Sequence, residues 1–367
     1  MFDKRWIGKP GLKEAVQEGW GMDGSHDNRS IMKKIQNCKR VISIWKKSTQ
    51  TNSEKLIKEL QDQIDRTHED DLAPPQALRE LNWKLCEAYR EEEFFWFQKS
   101  RQDWMALGDK NTKYFHASTK QRRARNRIIG ILDQNQVWID NEEGIEKVAV
   151  SYFDNLFSSS TSRDPSEVLR DVPVTVTPRM NDFLTKEVTE EEVKRALFSL
   201  NPRKAPGPDG LTTLFYQCFW DIIICDLTNM VKNFFRSGIF DGKLNETNIC
   251  LIPEGDKPRE MSGFRPISLC NVSYKVVSKI LSLRLKKFLP ELISETQSAF
   301  VAGRLITDNI LIAQENFHAL RSNPANHKKF MGLKTDMSKA YDRVEWDFLR
   351  ALMEMMGFNQ RWVGWIM

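Results

Sequence analysis

The sequence predicts an α+β protein: an α-helical hairpin or coiled-coil arm, followed by a region where short apolar strands alternate with helices. Three observations carry this. Two long stretches of helical periodicity flank an interruption at Pro74 and Pro75, and paired prolines cannot continue a helix. Two apolar runs of strand length, at 247–253 and 330–336, sit between polar or proline-bearing segments. Capping boxes open helical patterns at Thr189 and at Asp342, where Glu192 and Glu345 follow three residues on.

The chain can hold two or three domains with a large core, having 367 residues, 40% of them hydrophobic and 29% charged. The longest mostly apolar run, 218–225, is broken by Asp221, and the N-terminus shows no apolar targeting stretch. The six cysteines form no Cys-x-x-Cys pair and stand near no His at ligand spacing, which favours reduced thiols over a zinc site.

Residues 1–30 are polar and Gly-rich, with Trp6 and Trp20 as isolated aromatic spots and no clear element. Residues 30–66 carry a helical stripe through Ile31, Ile35, Cys38, Ile42 and Trp45, continued by Leu56, Leu60 and Ile64. A second helix runs from 76 to about 107. The arm suits a spacer or docking role. Residues 126–139 form a β-hairpin and 142–157 a helix, with Ile145, Val148, Tyr152, Phe153 and Leu156 inward. Residues 158–178 are rich in Ser, Thr and Pro and read as a linker. A helix follows to Leu200. Then Asn201-Pro-Arg-Lys-Ala-Pro-Gly-Pro-Asp-Gly210 makes a rigid exposed turn carrying Arg203 and Lys204. A helix over 212–237, the strand at 247–253, a Phe-Arg-Pro-Ile-Ser segment from Phe264 and a helix over 273–288 come next. Gln297-Ser-Ala-Phe-Val-Ala-Gly-Arg304 leads into a helix through Leu320. Last, strand 330–336 delivers Asp336 beside a helix capped by Asp342 and stopped at Gly357.

Charge is concentrated rather than spread. Residues 99–127 hold nine basic residues (Lys99, Arg101, Lys110, Lys113, Lys120, Arg122, Arg123, Arg125, Arg127) against Asp103 and Asp109, interleaved with Trp104, Tyr114, Phe115 and His116. Cations among aromatics suit nucleic acid, since they neutralise phosphates while rings stack on bases. A solvated basic helix face would look the same by charge alone. Taken singly, an Asp such as Asp336 at a strand end is more often a helix cap than a metal ligand, and Arg265 more often a salt-bridge residue.

The order of the pieces says more. The Pro-Gly-Pro-Asp-Gly loop, the strand ending in Leu-Ile-Pro253, Phe264-Arg-Pro-Ile-Ser, Gln297-Ser-Ala-Phe-x-x-Gly-Arg304 and Thr335-Asp-Met-Ser-Lys-Ala-Tyr-Asp342 occur in one sequence. Together they resemble the reverse transcriptases of non-LTR, LINE-type retrotransposons, the plant ones closely, over about 190–367. Residues 104–127 are similar to the segment such elements carry between endonuclease and polymerase. The resemblance implies a right-hand polymerase, here fingers and a partial palm, that joins deoxynucleotides on an RNA template with two Mg²⁺ ions. It implies Asp336 as catalytic metal ligand, Tyr341 as the aromatic gate against a 2′-hydroxyl, and Met337, Ser338, Lys339, Ala340 and Tyr341 as backbone facing the triphosphate. Arg265 would pair with the triphosphate. Gln297, Gly303 and Arg304 would border the template and nascent pair. Lys204, with Asp209 in the same loop, would face template RNA, joined by Lys120, Arg122, Arg123, Arg125 and Arg127.

Implied partners are RNA template, DNA primer and deoxynucleotides, in cytoplasm and nucleus, with no membrane. The domain boundaries expected are 1–98 for the helical arm, 99–157 for the basic connector, 158–188 for the linker, 189–329 for fingers and 330–367 for the start of the palm. Two features depart from the family pattern. Glu254 stands where a basic residue is usual. The Tyr/Phe-x-Asp-Asp hairpin is not in the sequence, and Glu69-Asp70-Asp71 has the wrong setting to replace it. The expectation is therefore a fragment of a longer product, with endonuclease, palm and thumb regions as partners there, that does not polymerise alone. The alternative is a non-catalytic RNA-binding remnant or an inert pseudogene product.

Overall fold

A computed structural model describes residues 2–21, 30–49, 53–69, 74–100, 112–159, 164–322 and 329–367. Arg101, Asp103, Trp104, Asp109, Lys110 and the Asp70-Asp71 pair, named above, lie outside them. The described chain is mostly helical, with two small antiparallel sheets. It divides into two units: residues 1–145, 190–231 and 240–276, and residues 146–189, 232–239 and 277–367.

The elements run in chain order. Helices α1 (Leu12–Trp20), α2 (Ile31–Thr49), α3 (Ser53–Glu69), α4 (Pro75–Ser100) and α5 (Thr112–Asn126) precede a hairpin of β1 (Ile131–Leu132) and β2 (Trp138–Ile139). Next come α6 (Glu142–Phe157), α7 (Ser166–Leu169), α8 (Pro178–Thr185), α9 (Glu190–Ser199), α10 (Thr213–Cys218), α11 (Trp220–Ser237) and α12 (Gly242–Asn245). Strands β3 (Thr247–Pro253) and β4 (Phe264–Cys270) pair antiparallel, with Ile252 opposite Arg265. The rest is α13 (Val272–Lys286), α14 (Leu289–Leu292), α15 (Ile306–Ser322), α16 (Trp346–Met355) and α17 (Gln360–Ile366).

In the first unit, helices α3 and α4 form the expected hairpin, with Gln61 Nε2 donating to the Tyr89 hydroxyl at 2.9 Å. The long stripe before it is two helices, α2 and α3, rather than one. The N-terminus holds more order than its composition suggests. Helix α1 is bounded by Gly11 and Gly21, both left-handed (φ +79° and +83°), which lets so short a helix start and stop sharply. Gly19 brings α1 against α2, because a Cβ there would meet the Cys38 Cα at 2.7 Å. Trp20 is fully buried, and its Nε1 donates to Asp226 Oδ2 at 2.8 Å, while the Lys34 ammonium holds both Asp226 oxygens at 3.0 Å. Phe2 packs edge-on against Phe215 and Phe219. Trp6 and Trp20 are thus core residues, and the first twenty residues seal the base of α10 and α11.

In the second unit, α8, α16 and α17 share a core with buried Trp362 and Trp365. Asn181 donates to the Gly357 carbonyl and accepts from the Asn359 N–H, each at 2.8 Å. Gly357 stops α16 as expected. Its φ is +88°, and a Cβ there would come within 2.9 Å of the Val174 side chain. The start of that helix differs. Asp342 sits in a 3₁₀ turn, Ala340–Arg343, and the N-cap position of α16 is Glu345. Residues 330–336 are also no strand. The described sheets are β1–β2 and β3–β4 alone, and without a neighbouring ladder the segment is not a strand. The segment instead runs exposed along α15, with Gly332 so close to the Phe317 ring that a Cβ would overlap it at 2.6 Å.

Candidate nucleotide and nucleic-acid sites

In the first unit the Asn201–Gly210 loop is held from beneath. Gly207 lies against the backbone of Cys270 and Asn271, where a Cβ would come within 2.4 Å of the Asn271 nitrogen. The Asn271 side chain accepts from the Asp209 N–H at 3.1 Å and donates to the Leu244 carbonyl at 3.0 Å. Lys275 donates to the Ala205 carbonyl at 3.1 Å. Asp209, expected to face RNA with Lys204, is instead 4% exposed and accepts from the Leu211 N–H at 3.0 Å. Burial raises its pKa from 3.8 to about 6. The loop is therefore a rigid platform that points Arg203 and Lys204 outward.

That platform faces the basic helix. Lys99, Arg122, Arg123, Arg203 and Lys204 line one cavity of about 380 Å³, with Gln98, Thr119, Asn126 and Thr212 as neutral polar groups and Pro202, Ala205, Cys250 and Ile252 as an apolar side. Among the described residues that line it, none is a carboxylate. Aromatic rings set the cations: the Lys99 ammonium lies 3.7 Å from the Phe95 centroid and the Arg203 guanidinium 5.3 Å from that of Phe97. Desolvation first, then the charges of Arg123 and Arg5, lower the Lys99 pKa. Arg122 also donates to the last carbonyls of α4, Lys99 and Ser100, at 2.6 Å each, so it is a helix-end clamp as well as a cleft wall. Lys120, Arg125 and Arg127 are exposed and outside the cavity lining.

On β4, opposite Ile252, Arg265 is exposed and its Nε donates to Glu254 Oε1 at 2.9 Å. The unusual carboxylate is thus the arginine's present counter-ion.

The second unit holds the remaining residues. Asp336, Met337, Ser338 and Tyr341 are exposed, and Lys339 and Ala340 are half-buried. Lys339 adopts φ +51° and Phe300 φ +63°, two of the four described non-glycine residues in the left-handed region. The two loops meet, because the Phe300 and Tyr341 rings cross edge-on at 6.0 Å. The loop 290–304 is braced by Arg304, whose guanidinium donates to the carbonyls of Pro290, Ile293, Ser294 and Gln297. Gly303 supplies its turn at φ +83°, and Gln297 is exposed. Sequence reasoning has no means to see the Phe300–Tyr341 contact, which joins residues 41 apart.

Among the described residues, no group of three or more His, Cys, Asp or Glu is placed to hold a metal ion. Asp336 offers one carboxylate, so the described residues do not by themselves fit a two-metal centre. Also among them, no helix is long and apolar enough to cross a membrane.

Residues 252–367 match the reverse transcriptase (RNA-dependent DNA polymerase) family. This span contains Arg265, the 297–304 loop and the Asp336–Tyr341 turn. Over 271 residues the chain is 31% identical to an uncharacterized 149 kDa protein of transposon TX1 from Xenopus laevis, covering 74% of this chain and 20% of that one. The chain is related to the reverse transcriptases of non-LTR retrotransposons. Two further relatives agree. A 115 kDa protein of the type-1 retrotransposable element R1DM of Drosophila melanogaster is 27% identical over 209 residues, 56% of this chain and 19% of its own length. A retrovirus-related Pol polyprotein from the type-1 retrotransposable element R1 of Bradysia coprophila is 27% identical over 213 residues, 57% and 20% respectively. This reverse transcriptase relative therefore spans about a fifth of the length of the curated proteins it matches.

Proposed function

We propose that this chain is the nucleotide-side part of a LINE-type RNA-directed DNA polymerase. In the full-length protein, the primer 3′-hydroxyl attacks the α-phosphate of a deoxynucleoside triphosphate opposite an RNA template and releases pyrophosphate. The observation that carries the reading is the Phe300–Tyr341 contact inside the matched span, where two loops turn through left-handed residues to meet beside exposed Asp336. Backbone held in sparsely populated conformations marks a site that the surrounding structure over-determines.

The roles follow from the groups. Tyr341 presents a flat ring that packs under a deoxyribose and leaves no room for a 2′-hydroxyl. Arg265 carries a fixed guanidinium fork for phosphate oxygens and exchanges Glu254 for them on binding. Asp336 would offer one hard oxygen ligand to a divalent ion, which would help to neutralise the triphosphate.

The test is binding of deoxynucleoside triphosphate to this chain with Mg²⁺, followed by photo-crosslinking of an azido analogue. Arg265→Ala is expected to weaken binding severalfold and Glu254→Gln to strengthen it. Tyr341→Ala is expected to reduce the preference for deoxy- over ribonucleotide. Equal labelling of all variants by both nucleotide types would sink the proposal.

A further inference from the structure

We infer that Phe300 is a positioning residue: it fixes the ring of Tyr341 and so sets how strongly the site distinguishes a deoxyribonucleotide from a ribonucleotide. The inference rests on the polymerase reading for its ligand, and on the contact between two loops of the second unit for its place.

Neither burial nor backbone preference accounts for a phenylalanine here. Phe300 is 80% exposed, so its ring gains little from leaving water. Its φ of +63° is left-handed, a conformation that strains any side chain and a bulky one most. Glycine adopts it freely, as Gly303 does three residues on. The chain on either side is fixed. Ser298 and Val301 are buried, and Asn309 on α15 donates to the Thr296 carbonyl at 2.9 Å. Arg304 holds four carbonyls between residues 290 and 297. These anchors force the Phe300 backbone and raise its ring out of the loop, where it meets Tyr341 edge-on.

Tyr341 needs such a support. It is 77% exposed and sits in a short 3₁₀ turn entered through left-handed Lys339. An exposed ring hops among its staggered χ1 wells within picoseconds to nanoseconds. A gate that rejects one additional oxygen has to be held to about 0.5 Å. An edge-on partner supplies the restraint, because the positive edge of one ring meets the negative face of the other and favours one ring plane. Pairs of this kind bias an equilibrium by about two- to tenfold. Loss of the Phe300 ring therefore costs sugar selectivity in that range rather than nucleotide binding as such.

The experiment uses the full chain and has two parts. The first needs no nucleotide. A fluorinated tyrosine replaces Tyr341 alone, and its fluorine resonance is followed in the otherwise wild-type chain and in Phe300→Ala, Phe300→Gly and Phe300→Tyr. Loss of the ring is expected to move the resonance toward that of the unfolded chain, and Phe300→Tyr to retain it. The second part measures deoxy- and ribonucleoside triphosphate affinity with Mg²⁺. Phe300→Ala and Phe300→Gly are expected to lower the deoxy-to-ribo ratio about two- to tenfold, and Phe300→Tyr to preserve it. Phe300→Ala added to Tyr341→Ala should change nothing further, because one residue acts through the other. Phe300→Gly removes ring and strain together, so misfolding of Phe300→Ala does not remove the test. An unmoved resonance, a retained ratio, additive losses in the double variant, or equal weakening of both nucleotides would each overturn the inference and leave the polymerase reading standing. A wild-type chain without sugar preference would bring down that reading, and the inference with it.

Discussion

At the scale of single residues, the chemistry-bearing side chains divide into those that face outward and those that hold the fold. Arg122 and Arg304 carry the sequence signature of nucleic-acid contacts, yet both bond to main-chain carbonyls, because a long guanidinium reaches oxygens that its own sequence neighbours cannot reveal. Asp209 is the sharpest case. It sits in a loop whose composition is that of a solvent-facing turn, but its carboxyl is buried with Oδ2 unpartnered, near buried Tyr216, with Lys39 and Lys275 too weak to offset desolvation. The folded pKa of about 6 exceeds the ordinary 3.8, so between those values the folded state holds a proton that the unfolded state has released. Stability contributed by this group is therefore fully present below 3.8 and is lost as pH rises through about 6. The shift corresponds to up to about 3 kcal/mol. Denaturant melts of wild type at pH 5 and pH 7.5 should show part of that fall, and Asp209→Asn should flatten this part of the pH dependence. An unchanged pH profile in the variant would show that Asp209 does not titrate in this range.

Elements with their own internal signal are legible in the sequence. The α3–α4 hairpin, the β1–β2 hairpin, α6, α9 and the stop of α16 follow from periodicity, prolines, caps and a glycine. Elements that depend on a distant partner are not. Residues 330–336 have strand composition, but a strand exists only as part of a ladder. Helix α1 escapes a reading by periodicity because nine residues show too few turns for a stripe. Helix α8 illustrates a terminus satisfied from outside. The carbonyls at its end, of Leu184 and Lys186, accept from Arg284 on α13 at 2.8 and 2.9 Å, with a longer bond to that of Glu187. Arg284 is 2% exposed and lies over the Phe235 ring. Removing it would leave the buried Leu184 carbonyl without its donor, at about 1–3 kcal/mol, while the carbonyls of the exposed Lys186 and Glu187 can turn to water. Arg284→Met should thus lower stability by about 1–3 kcal/mol. Arg284→Lys should recover only part, because one ammonium cannot span carbonyls separated along the chain. A melt of Arg284→Met within error of wild type would refute this assignment.

Across the whole molecule, the family relationship is legible because motif order survives without any structure, whereas the gathering of Lys204 with Arg123 requires folding to bring residues 81 positions apart into one cavity. The second unit raises a different consequence. Helix α15 buries none of its residues. It exposes Ile306, Ile310, Leu311, Ile312 and Phe317, and the segment against it exposes Phe330, Met331, Leu333 and Met337. The close approach of Gly332 to Phe317 makes the two stretches one surface. Monomeric soluble proteins seldom leave so much contiguous apolar area to water, and its hydration favours anything that covers it. The isolated chain is therefore expected to bind anilinonaphthalene sulfonate in its folded state and to self-associate as concentration rises. Leu311→Lys combined with Leu333→Lys should reduce both effects. Because the two positions are exposed, folding stability should change by no more than about 0.5 kcal/mol each. Dye fluorescence and light scattering check this directly. A wild-type chain that stays monomeric and dark to the dye, or a double variant that behaves identically to it, would show that the surface is covered within the chain itself.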